Sequence, residues 1–156
     1  MTMAHTTDPK TGQNIFAGSY GVGFNNVGSY QASAKPYIKS ELVVPASSSD
    51  ASTALEVAFP SVTKFITVRN DGSASEEIRL AFASGGLGTN KTGGTSGNNY
   101  IKIAQSGSFS ADFRVTKVYL MSEDAHTPNA TVIAGLTQID NARLPDSWKG
   151  DDGVGD

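Results

Sequence analysis

The central stretch of the chain, from Lys64 to Ser122, alternates apolar and polar residues with the period of two that is typical of β-strands. In the segment EEIRLAFA, one face carries the apolar side chains Ile78, Leu80 and Phe82. The other face consists of Glu77, Arg79 and Ala81. Because this second face is more polar, we expect it to meet solvent or a partner.

Eight short strands of this kind are predicted, with turn residues between them. They are the segments PYIKSELVV, TALEVAF, KFITVRN, EEIRLAFA, YIKIA, SFSADFRV, KVYLMS and ATVIAGLT. A helix competes for the second segment because Asp50 could cap it, but Pro60 would end that helix early and the β-branched Val57 disfavours it. Asp71-Gly72 predicts a hairpin turn between the third and fourth strands.

Half-apolar strands in this number predict an all-β fold, an antiparallel β-sandwich of two packed sheets. A jelly roll is favoured because eight strands is its usual number. An immunoglobulin-like sandwich is the alternative, although the Cys…Trp…Cys pattern is missing. The predicted core consists of Ile38, Leu42, Leu55, Val57, Phe59, Ile66, Val68, Ile78, Leu80, Phe82, Ile101, Ile103, Phe113, Val118, Leu120, Val132 and Leu136.

Three regions differ in composition. Residues 1–28 are rich in glycine and predict an extended arm, residues 29–138 hold the strands of the β-sandwich domain, and residues 139–156 form an acidic C-terminal tail. Both ends contain aromatic residues but lack a strand pattern that would bury them. We therefore predict that these aromatic residues, Phe16, Tyr20, Phe24 and Trp148, are interface anchors that contact other subunits.

The longest loop runs from Ser84 to Asn99 and holds six glycines in sixteen residues. Its sequence GGLGTNKT comes close to a phosphate-binding loop, but Asn90 stands where the second glycine belongs. The glycine-rich residues that follow disfavour the helix whose N-terminus would hold a phosphate. We predict a protruding, flexible hairpin tip.

Composition and charge argue against several classes of function. A net charge of −3 gives no broad basic surface for nucleic acid, and no apolar run reaches the length of a membrane span. The chain has no cysteine, so a zinc site would need His5 and His126 together with carboxylates. A serine nucleophile would have only His126 as its base and no nucleophile elbow. We predict neither an enzyme nor any metal or cofactor.

The run FITVRN…EIRLAFASGG…NNYIKIAQSGSFSADFRVTKVYLMS resembles small β-sandwich virion structural proteins of tailed bacteriophages and related icosahedral viruses. The resemblance covers about residues 64–122 and transfers no functional residue. It implies a capsid decoration (cement) or minor capsid protein of the virion, a homo-oligomer whose partners are the major capsid protein or other virion subunits. The alternative is a host-receptor or carbohydrate-binding module of tail or fibre type. In such a module Tyr20, Phe24 and Tyr30, or Tyr100 and Tyr119, could stack on a sugar.

Overall fold

The computed structural model describes residues 6–7, 14–15, 34–48, 53–73, 75–87 and 99–143. Within these ranges the regular structure is almost entirely β. The strands are β1 (Thr6–Thr7), β2 (Asn14–Ile15), β3 (Lys35–Val43), β4 (Leu55–Ala58), β5 (Thr63–Asn70), β6 (Ile78–Ala81), β7 (Tyr100–Ile103), β8 (Ser108–Ala111), β9 (Lys117–Ser122) and β10 (Asn129–Leu136). Two short 3-10 turns, Ser84–Gly86 and Asn141–Arg143, complete it. Each of the eight strands from β3 to β10 overlaps one of the eight predicted segments.

Two four-stranded antiparallel sheets contain these eight strands, in the orders β3-β10-β5-β8 and β4-β9-β6-β7. The first of the eight pairs with the last, the second with the seventh, the third with the sixth and the fourth with the fifth. This is the pairing of one long antiparallel ribbon rolled into two sheets, so the sandwich is a jelly roll. The immunoglobulin-like alternative does not apply.

A single core lies between the sheets and draws on both of them. Ile66 and Val68 of β5 pack with Leu80 of β6 and Leu120 of β9, and all four are fully buried. Every predicted core residue except Ile38 and Phe113 is buried or packs against this cluster. The strand assignments therefore placed the apolar faces correctly in six of the eight strands, and the two errors have local causes.

The error at Ile38 comes from a β-bulge in β3. Ala130 pairs with Leu42 but Val132 pairs with Lys39, so one residue of β10 stands opposite two of β3. Glu41 adopts a positive φ of 56° at this point. The extra residue reverses the alternation, so Tyr37 and Leu42 pack against the core while Ile38 is 62% exposed. The apolar–polar alternation of the sequence gives no sign of the bulge, and a prediction based on it therefore places Ile38 in the core.

The error at Phe113 comes from the end of β8 at Ala111. Beyond that point the chain leaves the ladder, and the Phe113 carbonyl accepts a hydrogen bond from Thr63 Oγ1 at 2.7 Å. The Phe113 ring lies at the open side of the sandwich and is 42% exposed. A continuous strand through SFSADFRV, as predicted, would have turned it inward.

The hairpin predicted at Asp71-Gly72 is also wrong, although a tight turn is there. β5 and β6 lie in different sheets, so this connection crosses the sandwich. The Gly72 N–H donates to Asn70 Oδ1 at 2.9 Å, and a Cβ on Gly72 would lie 2.7 Å from Pro128 Cβ. The glycine is thus required by close packing rather than by a two-residue hairpin loop.

The predicted arm and tail lie mostly outside the described residues. Within residues 1–28 only β1 and β2 are described, and they pair with each other in a separate two-stranded sheet. At the other end, Ile139 is fully buried and the Asn141 side chain donates to the Phe59 carbonyl at 2.8 Å. The packed domain therefore extends through Asn141, and a tail from residue 144 onward remains a prediction.

Candidate functional site

The outer face of the β4-β9-β6-β7 sheet carries most of the charge that the structure organises. The register places Arg79 of β6 opposite Lys102 of β7, and Ala81 opposite Tyr100. Glu123, directly after β9, reaches the same surface. We refer to Arg79, Tyr100, Lys102 and Glu123 as the charged face.

Arg79 is the centre of the charged face. Its guanidinium forms an ion pair with the Glu123 carboxylate, and its Nη1 donates to the Leu87 carbonyl at 3.1 Å. The guanidinium carbon also lies 5.0 Å from the centroid of the Tyr100 ring, a cation–π distance. With only 13% of its side chain exposed, Arg79 joins β6, the residue after β9 and the start of the glycine-rich loop.

The two cations determine the ionisation of Glu123. The hydrogen bond from Arg79 lowers the pKa of the Glu123 carboxyl below its ordinary value of 4.5; burial opposes this shift, and the bond from Lys102 adds to it. Lys102 Nζ lies 2.8 Å from Glu123 Oε1, and this bond raises the pKa of Lys102. The carboxylate form is therefore favoured in the folded protein.

We expect Glu123 to make stability depend on pH on the acid side. Because the folded-state pKa lies below the ordinary 4.5, the contribution is complete above that value and is lost as pH falls through the folded-state pKa. Wild type should thus be more stable than Glu123→Gln at neutral pH, and the difference should shrink below about pH 5. Urea unfolding of both proteins from neutral to acid pH measures it. A difference that stays constant with pH would contradict the ion-pair role.

The chain itself covers part of this outer face, contrary to the expectation that it meets solvent or a partner. Leu87 is fully buried and forms a second apolar cluster with Ala81, Tyr119 and Met121. The Asn99 N–H donates to the Gly86 carbonyl at 3.0 Å and closes the two ends of the loop. β9 is consequently buried on both faces. In the sequence, Leu87 is the one large apolar residue of the loop, and that was the signal for this cover.

The glycine-rich loop begins as packed structure, since Ser84–Gly86 form a 3-10 turn and Leu87 is buried. Its predicted flexible tip falls on residues 88–98, outside the described ranges. Deletion of residues 89–96 should leave the melting temperature nearly unchanged, because loop length enters stability only logarithmically. Leu87→Ala should instead lower the free energy of unfolding by about 2–5 kcal/mol. Thermal unfolding of both variants tests this, and a strongly destabilising deletion would show that the removed residues are packed.

The two strand tyrosines considered for sugar stacking lie in one row of the outer face, on either side of Ala81. Tyr119 is 7% exposed, and burial raises the pKa of its hydroxyl. Lys117 Nζ lies 5.6 Å from its ring centroid. Tyr100 is half-buried with the Arg79 guanidinium beside its ring. Tyr119 is thus too deeply buried to stack on a sugar, and each of the two rings already has a cation beside it.

Ser122, Asp124 and His126 come together without the order of a hydrolytic triad. The Ser122 hydroxyl donates to Asp124 Oδ1 at 3.2 Å, and His126 Nδ1 lies 2.9 Å from the same oxygen. The backbone N–H of His126 also donates to that oxygen and lowers the pKa of the Asp124 carboxyl. The carboxylate thus stands between the fully buried serine and the exposed imidazole, so this geometry orders a turn and does not activate the serine hydroxyl.

The four predicted interface anchors, Phe16, Tyr20, Phe24 and Trp148, all lie outside the described residues, as does His5. Their role remains a prediction. Within the described ranges, no group of acidic, histidine or cysteine side chains is arranged to hold a metal ion. The same ranges contain no helix that is long and apolar enough to span a membrane.

The geometry defines the class of the molecule as a jelly-roll β-sandwich with a self-contained ion-pair network on one sheet. No protein-family model and no curated protein sequence matches the chain.

Proposed function

We propose that the chain is a virion structural protein, a capsid decoration (cement) or minor capsid protein that stabilises a shell through subunit contacts. The observation that carries this proposal is the jelly-roll pairing of the eight strands. Viral capsid proteins are a major user of this topology, together with lectins and cupins. The support is at the level of the fold, and it agrees with the resemblance of residues 64–122.

The chemistry of the described surface favours a structural role over a sugar-binding role. The most organised polar groups, Arg79, Lys102 and Glu123, bind one another and the Leu87 carbonyl. Groups engaged in this way stabilise the loop base and the sheet instead of presenting free donors to a small ligand. This is what a rigid subunit requires, while a lectin needs convergent polar groups beside an open aromatic ring.

Contacts to the shell are assigned to the arm and the tail. Residues 16–28 of the arm contain no charged side chain and three aromatic residues, Phe16, Tyr20 and Phe24. Such a segment gains free energy when its rings leave water against a neighbouring subunit. Trp148 is the corresponding anchor in the acidic tail. The virion is the proposed location, and the major capsid protein is the proposed partner.

Co-sedimentation with empty shells, made from the major capsid protein of the same virus, tests the function. Full-length wild type should pellet with the shells. A Phe16→Ala, Tyr20→Ala, Phe24→Ala and Trp148→Ala variant should remain in the supernatant with an unchanged melting temperature. Ile38→Ala, which removes an exposed apolar side chain of the sandwich, is the matched control and should pellet like wild type.

Wild type that does not pellet and instead binds a glycan array would replace the proposal by the carbohydrate-binding alternative. If the quadruple variant still pellets, the protein binds shells, but the four aromatic residues are not the anchors.

A further inference from the structure

The four edge strands of the sandwich differ in their protection against pairing with another chain. Edges are ordinarily blocked by charges, prolines or bulges. Three of the four edges have such protection. On β3 it consists of the bulge and of Lys35, Pro36, Lys39 and Glu41, on β4 of Glu56, and on β7 of Lys102. β8, with the sequence SFSA, has no charge and no proline, and its ladder with β5 is regular. Among the four edges it is the one without a charge, a proline or a bulge.

The backbone of β8 presents its outward groups at Ser108 and Ser110. The Asn70 N–H donates to the Gly107 carbonyl at 3.0 Å, which makes Asn70 and Gly107 a hydrogen-bonded pair of the β5–β8 ladder. Since such pairs alternate, Phe109 and Ala111 also bond towards β5. The N–H and C=O groups of Ser108 and Ser110 therefore point away from the sheet, and none of the described residues pairs with that side of β8.

An apolar surface adjoins this free edge. The Phe113 ring, 42% exposed, makes an edge contact with Phe82 at 5.2 Å between centroids and lies 6.2 Å from Phe109. Phe82 and Phe109 are themselves only partly buried. The core thus opens to solvent beside the edge strand that carries no charge, proline or bulge. Together these features are those of a surface used for strand addition.

We propose that β8 is the surface through which two copies of this chain associate, by antiparallel β8–β8 pairing about a two-fold axis. The pairing joins the two β3-β10-β5-β8 sheets into one continuous sheet and covers Phe113. A second copy fits because β8 carries no charge that would repel the β8 strand of another copy. About a two-fold axis, the outward N–H and C=O groups of Ser108 and Ser110 meet the same groups of the second copy. The antiparallel direction also keeps the two Asp112 carboxylates at opposite ends of the contact.

The inference names the contact surface for the homo-oligomer of the proposed function, and it rests on that part of the proposal. A four-residue strand pair with one aromatic side chain is smaller than the interface of a stable dimer. The association is consequently weak and depends on concentration, as suits a contact that is repeated many times in a shell.

Charge swapping at Ser110 tests the pairing. Ser110 shares the outer face with Thr67, and the two hydroxyls are in contact, so each variant is first checked by circular dichroism and melting. Ser110→Lys and Ser110→Asp should each raise the dissociation constant of the full-length dimer by at least about tenfold, because like charges of the two copies then lie close together on one face of the joined sheet. An equimolar mixture should recover the association. Sedimentation velocity over a concentration series up to about 1 mM gives the constants.

Two further variants control the interpretation. Ser108→Pro removes an outward N–H at the first residue of the strand, where proline is tolerated, and should weaken association without affecting the β5 ladder. Ser40→Lys places the same charge on an exposed serine of β3, at the other edge of the same sheet, and should associate like wild type.

A monomeric wild type at about 1 mM would overturn the inference, as would variants that associate normally or a mixture that does not recover. A wild type that is monomeric yet binds shells would leave the proposed function intact and remove only the β8 contact. A wild type that dimerises through β8 but fails to bind shells would keep the β8 contact and overturn the proposed function.

Discussion

Leu80→Ala is expected to lower the free energy of unfolding by about 2–5 kcal/mol. Leu80 is fully buried at the centre of the core, where β6 pairs with both β7 and β9. The loss has two parts. One is the hydrophobic transfer free energy that the removed methyl groups no longer contribute, and the other is the cost of a cavity that neighbours from both sheets cannot fill. Urea unfolding monitored by circular dichroism measures it.

Ile38→Ala is the control for this effect. It removes a similar volume from a side chain that the β3 bulge leaves 62% exposed, so the expected loss is well under about 1 kcal/mol. Equal losses at Ile38 and Leu80 would mean that the bulge at Glu41 is absent in solution and that β3 has the register the plain alternation implied.

Asn70→Ala is expected to cost about 2–4 kcal/mol, although it deletes a polar side chain. The fully buried Asn70 amide donates to the Glu76 carbonyl at 2.7 Å and to the Ile103 carbonyl at 3.1 Å, and its oxygen accepts from the Gly72 N–H. Asn70 belongs to β5 in one sheet and Ile103 to β7 in the other. The variant leaves these backbone groups without partners at the crossing between the sheets.

Asn129→Ala is the matched control, since Asn129 is an exposed asparagine at the first position of β10. It should change the free energy of unfolding by less than about 0.5 kcal/mol. An Asn70→Ala loss no larger than this would show that water satisfies the three backbone groups and that the amide is not a structural link.

The strand content could be predicted because each strand buries one face. Period-two alternation identifies a half-buried strand wherever the ladder is regular, and it placed Leu80, Ile66 and Leu120 in the core correctly. The preference for a jelly roll followed from the number of strands alone, and the observed pairing confirms it. The order of the strands was never visible in the alternation, because pairing partners are distant in sequence.

The candidate site was much less predictable. Arg79 looked like a solvent-facing residue because it alternates with the apolar Ile78 and Leu80. In the structure it is largely buried, donates to the Leu87 carbonyl and pairs with Glu123, forty-four residues away. No local pattern in the sequence relates Glu123 to Arg79 or Lys102. Ion pairs between residues that no local period relates are set by the register of β6, β7 and β9.

The sequence by itself determined the all-β class, the eight strands and nearly all of the core, because these depend on local hydrophobic periodicity and on turn residues. Only the tertiary structure decided where that periodicity breaks and what the breaks do. The β3 bulge turns Ile38 outward, the close packing of Gly72 converts an apparent hairpin into a crossing, and Leu87 folds over the outer sheet. These features depend on contacts between distant segments, and such contacts exist only once both sheets are assembled.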